Sequence, residues 1–308
     1  MHNVIIIGSG CAGNTAAVYA ARAGLKPLVL TGVEQGGQLS ITSEVENFPG
    51  FPEGILGPEL VGNMRKQAER FGAIYQESTV IEADLKAQPI RVNVDGEWTE
   101  TRTLIVATGA SARWLGLPNE TKLVGHGLSS CATCDGFFFR GKMIMVIGGG
   151  DTAMEEAVFL TRFGSEVVLV HRRDSFRASK IMLERAQKNP KIKFIMNSVV
   201  DEILEADGGV AGVKLRDLVT NQVMERPVDG LFVAIGHIPN TKPFVGQLDL
   251  DPDGYLISQG GARTNIDGVF HAGDVQDRVY RQAITAAGAG CMAAIEAERY
   301  LEAHYPGH

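Results

Sequence analysis

A continuous apolar run leads into a glycine-rich turn in the stretch Asn3-Val4-Ile5-Ile6-Ile7-Gly8-Ser9-Gly10-Cys11-Ala12-Gly13. Such a run is typical of a parallel strand that is buried on both faces. An alanine-rich helical stretch (14–23) and a second apolar strand (28–30) follow. A G-x-G-x-x-G turn in this strand–turn–helix–strand context predicts a dinucleotide-binding unit, whose helix N-terminus favours phosphate groups.

The same pattern occurs a second time. Gly148-Gly149-Gly150-Asp151-Thr152-Ala153 follows the apolar stretch 142–147 and keeps the G-x-G-x-x-[GA] spacing. Two later stretches match at the same offset. Arg22-Ala23-Gly24 corresponds to Arg162-Phe163-Gly164, and Leu28-Val29-Leu30 corresponds to Val168-Leu169-Val170. Internal repetition of this length indicates two nucleotide-binding units in one chain.

The residues after the second strand of each unit differ. In the second unit, His171-Arg172-Arg173 follows Val170, and Arg177 lies four residues further on. Arginines at this place accommodate the 2′-phosphate of NADPH, although a solvated basic loop is the alternative. In the first unit, Thr31-Gly32 carries neither a base nor an acid. The first unit is therefore expected to prefer another nucleotide.

Both units share a further order of elements. Each continues with predicted β-strands (73–103 and 193–228) and a buried strand ending in glycine (104–109 and 231–236). The stretches 268–274 and 284–301 have no counterpart in the second unit, so we expect them to complete the first. The predicted fold is α/β, with two Rossmann-like three-layer domains, the second inserted in the first, each with a β-meander. The predicted domains are 1–114 with 247–308, and 115–246, with hinge strands at 114–116 and 246–248 and a long irregular loop at 34–57.

A pair of cysteines lies between the two units, in Cys131-Ala132-Thr133-Cys134-Asp135. Two cysteines at this spacing can close and reopen a disulfide ring, which is the chemistry of a redox dithiol. The alternative is half of a zinc site, but zinc needs four ligands and the sequence has no second CxxC pair. Asp135 is placed to supply a proton if burial raises its pKa, and its alternative role is an Asp-Gly turn with Gly136.

Composition excludes several classes of protein. The 308 residues include 29 Lys and Arg against 36 Asp and Glu, a net charge of −7, which argues against a general nucleic-acid binder. Apolar runs are too short for a membrane helix, and no signal-peptide pattern is present. Only four cysteines occur, which favours a reducing cytoplasm. Hydrolase and kinase motifs are absent.

Together these stretches resemble a known family. GSGCAG (8–13), GGQL (36–39), ATGA (107–110), CATCDGFF (131–138), GGGDTA (148–153), HRRDSFRAS (171–179) and GDVQDRVYRQA (273–283) are similar in sequence and order to the low-molecular-weight, bacterial-type thioredoxin reductases. The resemblance implies a homodimeric FAD protein that reduces thioredoxin with NADPH, using a rotating NADPH domain. Two positions depart from the family, since Cys11 stands where Pro is frequent and Asp151 stands where some members have Asn.

The resemblance also implies roles for individual residues. Cys134 would lie nearest the flavin, Cys131 would attack thioredoxin, and Asp135 would be the acid–base partner. The residues expected to bind FAD are Gly8, Ser9, Gly10, Ala12, Gly13, Thr31, Gly32, Gly36, Gly37, Gln38, Leu39, Asn47, Gly273, Asp274, Val275, Arg281, Gln282 and Ala283. Those expected to bind NADPH are Gly150, Asp151, Thr152, His171, Arg172, Arg173, Arg177, Ile235 and Gly236. No metal ligand is expected.

Three other functions remain as alternatives. A small-molecule dithiol oxidase could use the same scaffold, but such enzymes usually lose the arginine set that is intact here. A reductase for a peroxidase-linked partner would carry an extra N-terminal region. A non-catalytic module that senses NADPH or redox state would bind its nucleotide without consuming it.

Overall fold

The computed structural model describes residues 1–42 and 44–306 of the chain. Ser43, within the predicted loop, and residues 307–308, at the end of the predicted first domain, lie outside this part. The chain forms two compact units, residues 1–111 with 238–308 and residues 112–237. In the described ranges, no helix has the length and apolar character needed to cross a membrane.

Among the described residues, unit 1 is built around parallel strands and three helices. Its elements are β1 (His2–Ile7), α1 (Cys11–Arg22), β2 (Leu28–Leu30), β3 (Glu44–Val45), β4 (Ile55–Leu56), α2 (Gly57–Arg70), β5 (Ile74–Gln76), β6 (Val80–Asp84), β7 (Ile90–Val94), β8 (Glu97–Val106) and β9 (Ala110–Ala112), and, after the chain returns, β19 (Val269–His271) and α7 (Ala283–His304).

A seven-stranded sheet runs through the described part of unit 1 in the order β5-β2-β1-β8-β7-β6, with β19 also paired to β8. Alternate residues of β1 face opposite cores. Val4 and Ile6 pack with alanines of α1 and α7, whereas Ile5 and Ile7 pack with the meander strands β6 and β7. These helix, sheet and meander layers confirm the predicted three-layer architecture for this unit.

Strand β8 is longer than the sequence predicted. The pattern suggested a meander strand ending at Thr103 and a separate buried strand from Leu104, but one strand spans Glu97–Val106. Its first half pairs antiparallel with β7, and its second half pairs parallel with β1 and β19. A single strand therefore belongs to both the meander and the nucleotide-binding sheet, and its change of partner produces the change in pattern.

Unit 2 repeats the plan on a smaller scale. Its elements are α3 (Glu120–Leu123), β10 (Leu128–Ser129), α4 (Ala132–Asp135), β11 (Met143–Gly148), α5 (Asp151–Leu160), β12 (Glu166–Val170), α6 (Lys180–Gln187), β13 (Ile192–Ile195), β14 (Ser198–Ala206), β15 (Gly209–Asp217), β16 (Val223–Pro227), β17 (Gly230–Ala234) and the start of β18 (His237–Pro239).

Five parallel strands of unit 2 form a sheet in the order β10-β17-β11-β12-β13, and β14-β15-β16 form a separate antiparallel meander. Ile144 and Val146 pack beneath α5 and α6, while Met145 and Ile147 pack against the meander. The carboxyl ends of β11, β12 and β17 lie at one edge of this sheet. Ligands of open α/β sheets bind at that edge.

The chain passes between the units at β9 and β18, which pair with each other as a two-stranded sheet. The predicted hinge strands at 114–116 and 246–248 are wrong, because neither segment is a strand. Trp114 instead packs against the meander core of unit 2, and Leu248 packs inside the core of unit 1. Their apolar side chains, which suggested strands, belong to those two cores.

Candidate active site

The two cysteines of the CxxC stretch form a disulfide in unit 2. Cys131 precedes α4 and Cys134 lies within it, with 5.4 Å between their Cα atoms. The N–H of Cys131 donates to the Ser129 hydroxyl at 3.0 Å. Both cysteines are partly exposed. In the described part of the chain, no cluster of three or more His, Cys, Asp or Glu could hold a metal ion. The arrangement is that of an accessible redox disulfide.

The carboxyl group of Asp135 follows the disulfide directly. Burial raises the pKa of this carboxyl group, and a hydrogen bond from the Ser129 hydroxyl opposes the increase. A carboxyl group with a raised pKa keeps its proton to higher pH than an ordinary carboxyl group and can release it to a nearby thiolate. Ser129 therefore links the backbone of Cys131 to the proposed proton donor. Sequence reasoning missed Ser129, and its only signal was a small hydroxyl residue two positions before Cys131.

The first glycine-rich turn is tightly packed at its first and last glycines but not at its second. A side chain at Gly8 (φ +109°) would overlap the Ala107 carbonyl, and one at Gly13 would overlap the Gly8 carbonyl. At Gly10, by contrast, the nearest described atom to an added Cβ is 3.8 Å away. The N-terminus of α1 has no side-chain cap within the described residues. Uncapped backbone N–H groups at a helix N-terminus suit a pyrophosphate.

Ser9 ties this turn to the loop after β2. Its hydroxyl donates to the Thr31 carbonyl at 3.3 Å and accepts from the Gly36 N–H at 3.0 Å. Gly37 lies so close to Gly10 that a Cβ added at Gly37 would be 3.3 Å from the Gly10 Cα. Gln38 and Leu39 follow in a 3₁₀ turn, Gly37–Ile41. The predicted residues 9, 10, 31, 36 and 37 therefore meet in one place.

The 3₁₀ turn Gly273–Val275 brings an unsatisfied carboxylate to the same turn. Gly273 packs against Ala12, since an added Cβ would lie 2.9 Å from the Ala12 side chain. The Oδ1 atom of Asp274 is buried and has no hydrogen-bond partner among the described residues. Burial raises the pKa of Asp274 to about 6, with a further contribution from Asp277. A ligand hydroxyl that donates to Oδ1 would fit this site.

Cys11 lies beside Asp274 and is buried. Burial raises the pKa of the Cys11 thiol to about 12, and the Asp274 carboxylate adds to the increase. A thiol with this pKa is almost entirely protonated near neutral pH and is a poor nucleophile. Cys11 therefore acts as an apolar packing residue in this structure.

Asn47 and Gln282 also meet, although they are far apart in sequence. The Asn47 amide donates to the Gln282 side-chain oxygen at 3.2 Å. Gln282 caps α7 in a reciprocal arrangement with Thr285, and Arg281 before it has a positive φ of 48°. Ala283 is the first residue of the helix. The structure thus brings these predicted residues together at the N-terminus of α7.

The second glycine-rich turn has the same plan. An added Cβ at Gly148 would overlap the Ala234 carbonyl, whereas one at Gly150 would meet no described atom within 4 Å. The N-terminus of α5 lacks a side-chain cap among the residues described. Thr152 lies in the first turn of α5, and Ile235-Gly236 follows β17 at the same edge of the sheet. This turn also suits a pyrophosphate.

The arginine loop (171–179) follows β12 and borders this turn. Arg172, Arg173 and Arg177 are exposed, and none forms an ion pair with another described residue. His171 is buried, and burial lowers its pKa. Its ring stacks on Phe176 with 5.1 Å between centroids. Three cationic side chains without an acidic partner suit a phosphate group.

Comparison with known proteins agrees with this architecture. The sequence profile of the pyridine nucleotide-disulphide oxidoreductase family matches residues 2–290. A thioredoxin reductase of Streptomyces coelicolor is 58% identical over 307 residues, covering 98% of this chain and 95% of that protein.

Two further relatives extend the comparison. A protein of Mycobacterium leprae named bifunctional thioredoxin reductase/thioredoxin is 55% identical over 307 residues, 99% of this chain and 67% of that protein. The crystal structure of thioredoxin reductase from Streptococcus pyogenes superimposes with a TM-score of 0.94 at 40% identity, covering 98% of this chain and 99% of that one. The chain therefore belongs to the pyridine nucleotide-disulphide oxidoreductase family and, within it, to the thioredoxin reductases.

Proposed function

We propose that the chain is an NADPH-dependent thioredoxin reductase that holds FAD in unit 1 and NADPH in unit 2. The observation that carries the proposal is the accessible Cys131–Cys134 disulfide, which lies in a nucleotide-binding unit beside a carboxyl group of raised pKa. When bound, NADPH would supply two electrons as a hydride and the flavin would relay them to this disulfide. The remaining steps depend on residues of the chain itself.

Unit 1 has the features that FAD requires. The backbone at Gly10, where an added Cβ would overlap no described atom, and the uncapped N-terminus of α1 would accept the pyrophosphate. The buried Oδ1 atom of Asp274, which has no partner among the described residues, would accept a hydrogen bond from a ribityl hydroxyl. The backbone at Gly36-Gly37 and the Asn47–Gln282 pair would border the remainder of the cofactor.

Unit 2 has the features that NADPH requires. Gly150 and the N-terminus of α5 would accept the pyrophosphate. Arg172, Arg173 and Arg177 would bind the 2′-phosphate through charge-assisted hydrogen bonds, each contributing about 1.5–3 kcal/mol. The binding free energy of these 2′-phosphate contacts is sufficient to distinguish NADPH from NADH.

The dithiol would transfer two electrons by disulfide exchange. The Cys131 thiolate attacks one sulfur of the thioredoxin disulfide, forming a mixed disulfide and releasing one thioredoxin thiolate. Cys134 then attacks the Cys131 sulfur, which restores the internal disulfide and releases the second thiolate. Asp135 would supply a proton as the dithiol forms, because its raised pKa lets it hold one.

The partner is proposed from relatives. The Mycobacterium leprae relative carries both thioredoxin reductase and thioredoxin in its name, and this chain matches 67% of its length. We expect the partner of this chain to be a separate thioredoxin or a similar small redox protein. A homodimer and a cytoplasmic location are further expectations from the resemblance, and sedimentation of the purified protein would measure the first.

The test is NADPH consumption by purified protein with oxidised thioredoxin, without oxygen. We expect rapid consumption that requires thioredoxin in the wild type and none in Cys131→Ser or Cys134→Ser, with FAD retained in both. Cys291→Ser is the matched control, since Cys291 is a free cysteine in unit 1. Turnover of thioredoxin by either disulfide variant would contradict the dithiol assignment. Oxygen consumption with a small dithiol in the absence of NADPH would favour the oxidase, and nucleotide binding without NADPH consumption would favour a sensor.

A further inference from the structure

Asp151 does not extend freely toward a coenzyme. It is the first residue of α5, and its Oδ1 atom accepts a hydrogen bond from the backbone N–H of Ser179 at 2.6 Å. Ser179 lies at the end of the arginine loop, immediately before α6. The carboxylate therefore joins the second glycine-rich turn to the loop that bears the three arginines.

Backbone hydrogen bonds strengthen the same junction. The carbonyl of Gly149 accepts from the N–H of Arg177 at 2.8 Å and from the N–H of Ala178 at 3.2 Å. Three consecutive N–H groups, at residues 177, 178 and 179, are thus held by residues 149 and 151. The first of these three N–H groups belongs to Arg177, so the position of its backbone is fixed relative to the glycine-rich turn.

His171 holds the other end of the arginine loop. Its ring fills the space beside Gly149, where any added Cβ would overlap it. Its Nε2 atom lies 3.1 Å from the Ser175 carbonyl, within hydrogen-bonding distance. The ring is buried and stacked on Phe176, so it packs inside the loop. Both ends of the loop are therefore fixed to the turn.

We propose that Asp151 is a positioning residue for coenzyme selection, which holds the arginine loop so that Arg172, Arg173 and Arg177 are preorganised for a 2′-phosphate. The inference rests on the proposed NADPH site and assigns Asp151 a different role from that of a direct coenzyme ligand. A carboxylate near a phosphate is repulsive, but here the Ser179 N–H and the N-terminus of α5 stabilise its charge. Preorganisation increases affinity because the loop loses less freedom on binding.

The experiment measures binding of two coenzyme fragments to the FAD-containing protein by calorimetry. The fragment 2′,5′-ADP carries the 2′-phosphate and 5′-AMP lacks it, and neither can be oxidised or reduced. In Asp151→Ala, we expect the dissociation constant of 2′,5′-ADP to rise about tenfold, while that of 5′-AMP changes less than about twofold. Asp151→Asn keeps an acceptor for Ser179 and should retain the wild-type preference.

Two further variants separate the hydrogen bond from the charge. Glu155→Ala removes an exposed acidic residue from the same helix and should leave the preference unchanged. Ser179→Pro removes the donor, and the Ser179 φ of −58° suits proline. It should reproduce the effect of Asp151→Ala, and the double variant should lose no more than either single variant.

An unchanged preference in Asp151→Ala would overturn the inference while leaving the NADPH site intact. If Asp151→Asn lost the preference for 2′,5′-ADP equally, the effect would arise from charge, and the inference would be overturned as well. If the wild type did not distinguish the two fragments, the NADPH assignment itself would fail, and the inference with it.

Discussion

In both units the first glycine of the turn packs against a backbone carbonyl at the end of a neighbouring strand, Gly8 against Ala107 and Gly148 against Ala234. In both, a Cβ added at the second glycine would overlap no described atom, and the helix that follows has no side-chain cap among the described residues. The backbone plan that accepts a pyrophosphate is therefore shared between the two units.

The side chains around the two turns differ at each matched position. Ser9 ties the first turn to its loop, while Gly149, its counterpart, makes room for the His171 ring. Cys11 is a neutral, buried thiol, while Asp151, its counterpart, holds the arginine loop. The buried Oδ1 atom of Asp274, which has no hydrogen-bond partner among the described residues, lies at the first turn. On the proposed assignment of FAD and NADPH, the backbone would accept the phosphates common to both nucleotides, whereas side chains would select which nucleotide binds.

The largest expected effect comes from adding a side chain at the second glycine of one turn or the other. Gly10 and Gly150 have φ values of −70° and −100°, so valine can adopt either conformation. Gly10→Val should yield protein without flavin absorbance. Gly150→Val should keep the flavin and weaken NADPH binding by about 100-fold or more, since two backbone–phosphate contacts of about 1.5–3 kcal/mol each are lost. Loss of flavin from Gly150→Val would show that the turns are assigned to the wrong cofactors.

The second prediction concerns the arginine loop. Replacing Arg172 and Arg173 together by alanine should weaken NADPH by about 100-fold, because two charge-assisted hydrogen bonds of about 1.5–3 kcal/mol are lost. The affinity for NADH should change by less than about threefold. Dissociation constants of both coenzymes measure this, with Arg185→Ala in α6 as a control. If binding of both coenzymes weakened equally, the arginine loop would not be the site of the 2′-phosphate.

The third prediction concerns Asp274 and stability. Its pKa is raised to about 6 by burial, with Asp277 adding to and Arg281 opposing the increase. In flavin-free protein, the ionised carboxylate therefore lowers the free energy of unfolding above pH 6 by about 3 kcal/mol, and this cost disappears as the pH falls below about 4. Asp274→Asn should be more stable than the wild type at pH 7 by about this amount.

Denaturant unfolding at several pH values measures the effect. The difference between Asp274→Asn and the wild type should shrink steadily between pH 6 and 4, in a protein freed of flavin. Asp267→Asn, which replaces an exposed acidic residue just before β19, is the matched control. A difference that stays constant over this range would mean that Asp274 is not the titrating group.

The smallest expected effect concerns the proton donor in unit 2. The Ser129 hydroxyl lowers the pKa of Asp135, so Ser129→Ala should raise this pKa further. Activity that needs protonated Asp135 falls as the pH rises through its pKa. This limb should therefore move to higher pH. A pH–rate profile of thioredoxin reduction measures the shift, with Ser130→Ala as the adjacent control, and a shift to lower pH would contradict the assignment.

The sequence predicted the repeated backbone plan because it is encoded locally. The turns at 8–13 and 148–153, their strands and their helices follow from glycine spacing and apolar runs. The structure confirms these elements and the three-layer architecture. The hinge strands were wrong because the apolar residues Trp114 and Leu248 serve core packing.

The tertiary features of the site could not be predicted in the same way. The Oδ1 atom of Asp274 lacks a hydrogen-bond partner among the described residues because residues remote in sequence bury it. The bond between Asp151 and Ser179 joins positions 28 residues apart, and no local pattern signals it. The effect of Ser129 on Asp135 likewise requires the turn of α4. Motifs identified the residues, but their mutual contacts appeared only in the folded chain.

The most direct test of the proposed electron route, from NADPH through FAD to the disulfide, measures the flavin absorbance without oxygen. The absorbance is recorded first after NADPH is added and then after oxidised thioredoxin is added. We expect NADPH to bleach the absorbance of the wild type and thioredoxin to restore it. Cys134→Ser should be bleached by NADPH and stay bleached after thioredoxin is added. Absorbance that NADPH leaves unchanged in the wild type, or that thioredoxin restores in Cys134→Ser, would contradict the proposed route of electrons.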